Sequence, residues 1–224
     1  MRAAWPACSS RRCDREREPI VALWQAGDDG QAGLNVEVYL ARHGETEWSL
    51  SGRHTGKTDL PLTPQGAVNA ARLKGPLQEI HFDVVFSSPL RRARRTAELA
   101  GFPNPRVTEL LREVDYGEYE GLTTKEIRES RPGWELYKDG SPDGETPAQI
   151  YARAIDFIDL ASTAGGRVLA FSHGHFLRAV AIAWMRLDVK AAATLDLDVA
   201  TLSLLRDDAL DRLLAMWNCR PLSL

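Results

Sequence analysis

From Val36 onward, segments of strand length and segments of helical pattern take turns along the chain, and this alternation is what most restricts the fold. Residues 36–41, 83–87 and 166–172 are apolar runs too short for buried helices, and 106–109 reads as a further short strand. Between them, Thr63-Pro64 opens a helix to about residue 77, with Thr63 as N-cap and Pro64 in the first turn. Helices are also predicted over 89–100, 123–130 and 175–187, and Thr146-Pro147-Ala148-Gln149 reads as a capping box on a helix running to about 161. Residues 199–206 and 210–217 read as an edge hairpin around Asp207-Asp208. The pattern predicts an α/β fold: a three-layer sandwich whose central sheet is mostly parallel and carries helices on both faces.

In such sheets ligands bind beyond the carboxyl ends of the strands. Those ends carry Arg42-His43-Gly44, then Ser87-Ser88-Pro89-Leu90-Arg91-Arg92, then Glu113 and Asp115, and finally Ser172-His173-Gly174-His175. Two His-Gly pairs in the same context, with arginines at a third strand end, are not what a buried core calls for. Arg42 supplies fixed positive charge, and Gly44 permits close backbone approach.

Bulk properties narrow the function classes. The 224 residues suit one domain, placed at 35–224, preceded by an Arg- and Gly-rich extension at 1–34 expected to be poorly ordered. A net charge of −3 argues against a general nucleic-acid binder. Three cysteines, Cys8, Cys13 and Cys219, make no disulfide framework, so a reducing, cytoplasmic compartment is expected. No apolar run approaches the ~18 residues of a membrane helix.

Arginines beside the histidines oppose a bound cation and favour an oxyanion, so no metal and no cofactor is expected. Neither a Gly-x-Ser-x-Gly elbow nor a P-loop is present. The arrangement fits covalent phosphoryl transfer: a neutral histidine attacks phosphorus, arginines and a second histidine hold the equatorial oxygens, and a carboxyl group serves as acid and then base. Glu113 and Asp115 are the candidates for that last role.

Arg42-His43-Gly44-Glu45-Thr46, Ser87-Ser88-Pro89-Leu90-x-Arg92-Ala93, Leu111-Arg112-Glu113-x-x-Tyr116-Gly117-x-x-Glu120-Gly121 and Ser172-His173-Gly174 together resemble the histidine phosphatase superfamily, in its phosphoglycerate mutase-like branch. The resemblance spans about residues 36–217. It implies His43 as nucleophile, Arg42, Arg92 and His173 as the phosphate pocket, and Glu113 as proton donor. It further implies substrate contacts at Ser49, Thr55, Gly56, Tyr116, Gly174 and His175.

Within the branch, Gly52-x-x-Thr55-Gly56-x-Thr58-Asp59-Leu60-Pro61-Leu62-Thr63 and Ser172-His173-Gly174-His175 are similar to sedoheptulose-bisphosphatase-like enzymes and bacterial acid phosphatases. Cofactor-dependent mutases carry a longer, basic insert where this chain has only the 59 residues between Glu113 and His173 (173 − 113 − 1). Ser49 and His175 also stand where mutases typically have asparagine. The implied activity is hydrolysis of small phosphomonoesters such as sugar phosphates, with 2,3-bisphosphoglycerate-dependent phosphoglycerate mutase as the alternative. The expected partner is a small phosphorylated substrate, with neither nucleic acid nor membrane. A homodimer stands as an open expectation.

Overall fold

The computed structural model of the chain describes residues 36–207 and 211–221. The extension expected at 1–34 and the middle of the edge hairpin's turn lie outside the described residues. Six strands, β1 (Glu37–Arg42), β2 (Val84–Ser87), β3 (Arg106–Val107), β4 (Arg167–Ser172), β5 (Leu202–Asp207) and β6 (Arg212–Cys219), form one sheet in the order β3-β2-β4-β1-β5-β6. The first four strands of that order run parallel. β5 returns antiparallel to β1, and β6 antiparallel to β5, as the expected edge hairpin.

The central strands β1, β2 and β4 are buried on both faces because helices cover each side. Val38, Val84 and Val168 share one register level, with Leu40, Phe86 and Ala170 two residues on. These side chains face a core built with α7 (Pro147–Ala164) and α8 (Gly174–Trp184). In α7 the buried residues Ile150, Ala154, Phe157, Ile158 and Ala161 recur every three to four positions, one helical stripe. Phe157 meets Phe86 edge-on. The alternate strand residues, Tyr39, Ala41, Leu169 and Phe171, are buried on the opposite face. There α2 (Pro64–Arg72) packs on α4 (Arg91–Leu99), which in turn lies on β2 and β4.

Local chemistry set most helix ends where expected. Thr63 Oγ1 accepts from Gly66 N, and Thr146 and Gln149 form a reciprocal capping box. The helix predicted to 77 divides at Leu73, and a short α3 (Lys74–Gln78) follows α2. Pro76 has no N–H for the carbonyl of Arg72, so one continuous ladder cannot form. Residues 106–109 yield two residues of strand, after which Thr108 caps a 3₁₀ turn at Glu109–Leu111. Three short helices complete the chain order: α1 (Glu47–Ser51), α5 (Thr124–Ser130) and α6 (Leu136–Asp139). Sequence periodicity does not register α1 or α6, because four or five residues span scarcely more than one turn.

The register sets up the site. Arg42 pairs with Ser172, and Ser87 with Phe171. The segments leaving β1, β2 and β4 therefore emerge side by side at one edge of the sheet.

Candidate active site

His43 follows the last residue of β1 and is 5% exposed. Its Nδ1 lies 2.6 Å from the carbonyl oxygen of Gly44. A carbonyl can only accept, so Nδ1 carries the proton and Nε2 keeps its lone pair. Burial, reinforced by the Arg92 and Arg42 charges and opposed by the Gly44 carbonyl, holds this imidazole well below the ordinary histidine value. The ring is thus a neutral base at neutral pH. Gly44 N donates to Thr96 Oγ1 at 3.0 Å, and Thr96 Oγ1 donates to the Arg92 carbonyl at 2.7 Å, tying the loop to α4. The close approach that Gly44 permits is to protein backbone, since a Cβ there would lie 2.5 Å from the Gly66 carbonyl oxygen.

Two arginines flank His43, Arg42 half-buried and Arg92 fully buried. Arg42 ends β1, and its Nη1 donates to the carbonyl of Leu197. Its Nε is buried without a hydrogen-bond partner. Such an orphan donor costs about 1–3 kcal/mol unless something accepts from it, and an oxyanion would. The guanidinium lies flat against Gly174, where a Cβ would come 3.0 Å from Cζ. Arg92 is fully buried on α4. Its Nε donates to His173 Nδ1 at 3.1 Å, Nη1 to Thr58 O at 2.9 Å, and Nη2 to Thr55 O and Gly56 O at 2.9 and 3.2 Å.

His173 stands 5.1 Å from His43, centroid to centroid. Burial first, and then the Arg92, His43 and Arg42 charges, hold it well below the usual histidine value. Because Arg92 Nε donates to Nδ1, the neutral ring bears its proton on Nε2, 2.7 Å from Ser88 Oγ.

Glu113 supplies the missing cap of α8. No side chain of α8's own N-cap, His173, caps that helix. Instead Glu113 Oε1 accepts from Val114 N and Phe176 N at 3.0 and 2.8 Å, and Oε2 from His175 N at 3.1 Å. A carboxylate offers about four lone-pair sites. Both on Oε1 are occupied, and one on Oε2 remains open.

Of the expected contact residues, Tyr116 and His175 meet directly, Tyr116 Oη lying 2.6 Å from His175 Nδ1. Burial raises the Tyr116 phenol well above its ordinary value and lowers the His175 imidazole. Gly174 backs Arg42 as described. Thr55 and Gly56 present carbonyls to Arg92, while Gly56 N is taken by Glu120 at 2.9 Å. Ser49 sits on α1, where its hydroxyl completes a capping box with Thr46. Its side-chain hydrogen bonds both go to Thr46, within that box. Asp115 pairs with the distant Lys57 at 2.6 Å and accepts locally from Gly117 N.

Sequence reasoning gave no role to several residues that hold the site. Glu120 also accepts from Thr58 N and so fixes the turn that grips Arg92. Arg153 pairs with Glu145 through both Nε and Nη2 and donates to the Leu110 and Arg112 carbonyls, bracing the segment before Glu113. Tyr137 Oη donates to the His175 carbonyl. His54 stacks among Tyr116, Trp134 and His175, and burial with the Arg178 charge lowers it to about 4. These partners are eight to seventy or more residues apart, so spacing carries no signal for them. Among the described residues no cluster of metal-ligating side chains occurs, and no helix is long and apolar enough to cross a membrane.

The model of the histidine phosphatase superfamily (branch 1) matches residues 38–220. An acid phosphatase of Mycobacterium tuberculosis is 43% identical over 174 residues, covering 76% of this chain and 86% of the relative. The sedoheptulose 1,7-bisphosphatase of Saccharomyces cerevisiae is 35% identical over 190 residues, 70% of each chain. A solved structure of an open reading frame product from Mycobacterium tuberculosis superposes with a TM-score of 0.79 at 40% identity, covering 83% of this chain and 98% of the other. The geometry just described and these matches agree: the chain belongs to branch 1 of the histidine phosphatase superfamily.

Proposed function

We propose that this chain hydrolyses small phosphomonoesters, sugar phosphates among them, through a phosphohistidine on His43. The observation that carries the reading is the pinned, neutral His43 ring, its Nδ1–H spent on the Gly44 carbonyl and its Nε2 lone pair free, beside an arginine whose buried Nε has no acceptor. The names of the relatives, acid phosphatase and sedoheptulose 1,7-bisphosphatase, support the substrate class.

In the first step His43 Nε2 forms a bond to phosphorus as the ester P–O bond breaks. Arg42 and Arg92 neutralise charge building on the equatorial oxygens. The departing alkoxide takes a proton held on the open lone pair of Glu113 Oε2. In the second step Glu113 removes a proton from water, the water oxygen bonds to phosphorus, and the N–P bond breaks. His43 returns neutral and Glu113 returns protonated, so the cycle closes without a metal or a redox partner. His173 contributes by holding Arg92 in plane, both its nitrogens being engaged.

Hydrolysis is favoured over the mutase reaction by the short segment between Glu113 and His173. Incubation with 3-phosphoglycerate and 2,3-bisphosphoglycerate tests this. Release of inorganic phosphate is expected, and equilibration of 3- and 2-phosphoglycerate without net phosphate release would establish the mutase instead. The site is expected to work in the cytoplasm, and phosphate release in excess EDTA is expected to match that without it.

A further inference from the structure

The catalytic edge is held from a place that its chemistry does not require. Arg42 has one side-chain hydrogen bond among the described residues, from Nη1 to the carbonyl of Leu197. It has no ion pair there, and its Nε is unpartnered. Where its guanidinium points therefore depends on where that carbonyl is held and on the Gly174 backbone it lies against. Leu197 lies in the irregular stretch between a 3₁₀ segment, Val189–Thr194, and β5. A stretch without its own ladder needs outside contacts to stay in place.

Part of that support is near the site, with Ala200 N donating to the His43 carbonyl, Arg178 Nη1 to the Leu195 carbonyl and the Leu197 side chain buried in the core, and two further contacts, which flank Leu197, come from the far edge of the sheet. Asn218 Oδ1 on β6 accepts from Asp198 N at 2.8 Å, and Trp217 Nε1 donates to the Asp196 carbonyl at 2.6 Å. The two bonds grip the residues on either side of Leu197. Arg220 adds an ion pair to Asp198, but with both side chains about half or more exposed it contributes little. From within the stretch, Thr201 Oγ1 donates to the Asp198 carbonyl at 2.8 Å.

β6 distorts to make this grip. Asn218 has φ 56, in the left-handed region that non-glycine residues seldom occupy and asparagine tolerates best. Its N–H leaves the ladder for Ser203 Oγ at 3.1 Å, and the β5–β6 register shifts between Leu202 and Leu204. Strain of this kind persists where surrounding structure over-determines it, and it gathers around functional sites.

We infer that Asn218 and Trp217 are positioning residues for Arg42: through Asp196 and Asp198 they hold the Leu197 carbonyl, and through it the guanidinium, in the orientation that receives the phosphoryl group. The inference rests on Arg42 being a phosphate ligand.

Orthovanadate affinity, KM and kcat for p-nitrophenyl phosphate and thermal midpoint are measured for wild type, Asn218→Gly, Trp217→Phe and Arg42→Ala. Glycine keeps the left-handed backbone and removes the amide, while phenylalanine keeps an aromatic ring and removes the donor. Both clasp variants are expected to weaken vanadate binding about fivefold or more, with KM rising in step, since each lost hydrogen bond is worth about 1 kcal/mol. Arg42→Ala is expected to weaken vanadate binding further still. If Arg42→Ala weakens vanadate while both clasp variants bind it as wild type does, at any thermal midpoint, the clasp is structural only and the inference is overturned. If Arg42→Ala itself binds vanadate normally, the reading of the phosphate pocket fails, and the inference falls with it.

Discussion

Arg92 and His173 lock each other. The arginine Nε donates to His173 Nδ1 at 3.1 Å, and the opposite ring nitrogen, Nε2, is 2.7 Å from Ser88 Oγ. The histidine is thereby fixed as one neutral tautomer, and the guanidinium plane is fixed with it. His173→Ala should lower kcat/KM by about 10²–10³, the scale of losing one preorganised donor. Because the two act as a unit, Arg92→Ala in that background should cost far less than in wild type. Additive losses in a double-mutant cycle would show that the two act separately.

Glu113→Gln separates acid catalysis from architecture. The amide oxygen can still accept from Val114 N and Phe176 N, the bond from His175 N is lost, and no proton can be transferred. The kcat/KM for alkyl phosphates, which reports transfer to His43 alone, should fall by about 10²–10⁴. The kcat/KM for p-nitrophenyl phosphate, whose leaving group needs no proton, should lose much less, while kcat falls for both because the second step still needs Glu113 as base. Equal losses of kcat/KM on both substrates would remove Glu113 from the proton-donor role.

How much of this was legible beforehand follows from where the partners lie. His43, Arg42, Arg92 and His173 could be found because each lies at or just past a strand end, and strand-helix alternation with parallel pairing sends those ends to one edge. The alternation also anticipated β1, β2, β4 and the edge hairpin. Glu120, Arg153 and Asn218 could not be read this way, because each acts on backbone groups brought near only by the folded chain. Ser49 illustrates the converse. The family resemblance implied a substrate contact there, and it carried no signal of the Thr46–Ser49 capping box in which the hydroxyl takes part.

The pH dependence of activity should report His43. Burial with two neighbouring cations keeps it neutral well below the ordinary histidine value. The acid limb of kcat/KM should consequently lie below about pH 6.5, the ordinary histidine value. Arg92→Met removes one of the cations and should move the limb upward. A limb that stays in place in that variant would assign the titration to another group.

Stability should fall on the acid side for the same class of reason. His54 titrates near 4 in the folded chain and near 6.5 when unfolded. Below 6.5 the unfolded state binds the extra proton, so stability present above that pH is lost as pH falls toward 4. This one group accounts for about 3 kcal/mol over that window. His54→Asn, lacking the titration, should show a shallower decline of thermal midpoint between pH 6.5 and 4. An unchanged slope would contradict the assignment.

Gly174→Ala should disturb the phosphate site with little effect on the fold, because the added methyl meets the Arg42 guanidinium at 3.0 Å and not a core side chain. Weaker inhibition by orthovanadate at a nearly unchanged thermal midpoint is the expected pair of results. Normal inhibition would mean that Arg42 can shift without consequence.

The covalent intermediate is the centre of the account, and rapid acid-free quenching of the protein during turnover of a ³²P-labelled phosphomonoester tests it most directly. Label should appear on the wild-type chain in a form stable to base and lost in acid, as a phosphoramidate is, and should be absent from a folded His43→Ala variant. Turnover by wild type with no label on the protein at any time, or the same label on His43→Ala, would contradict it.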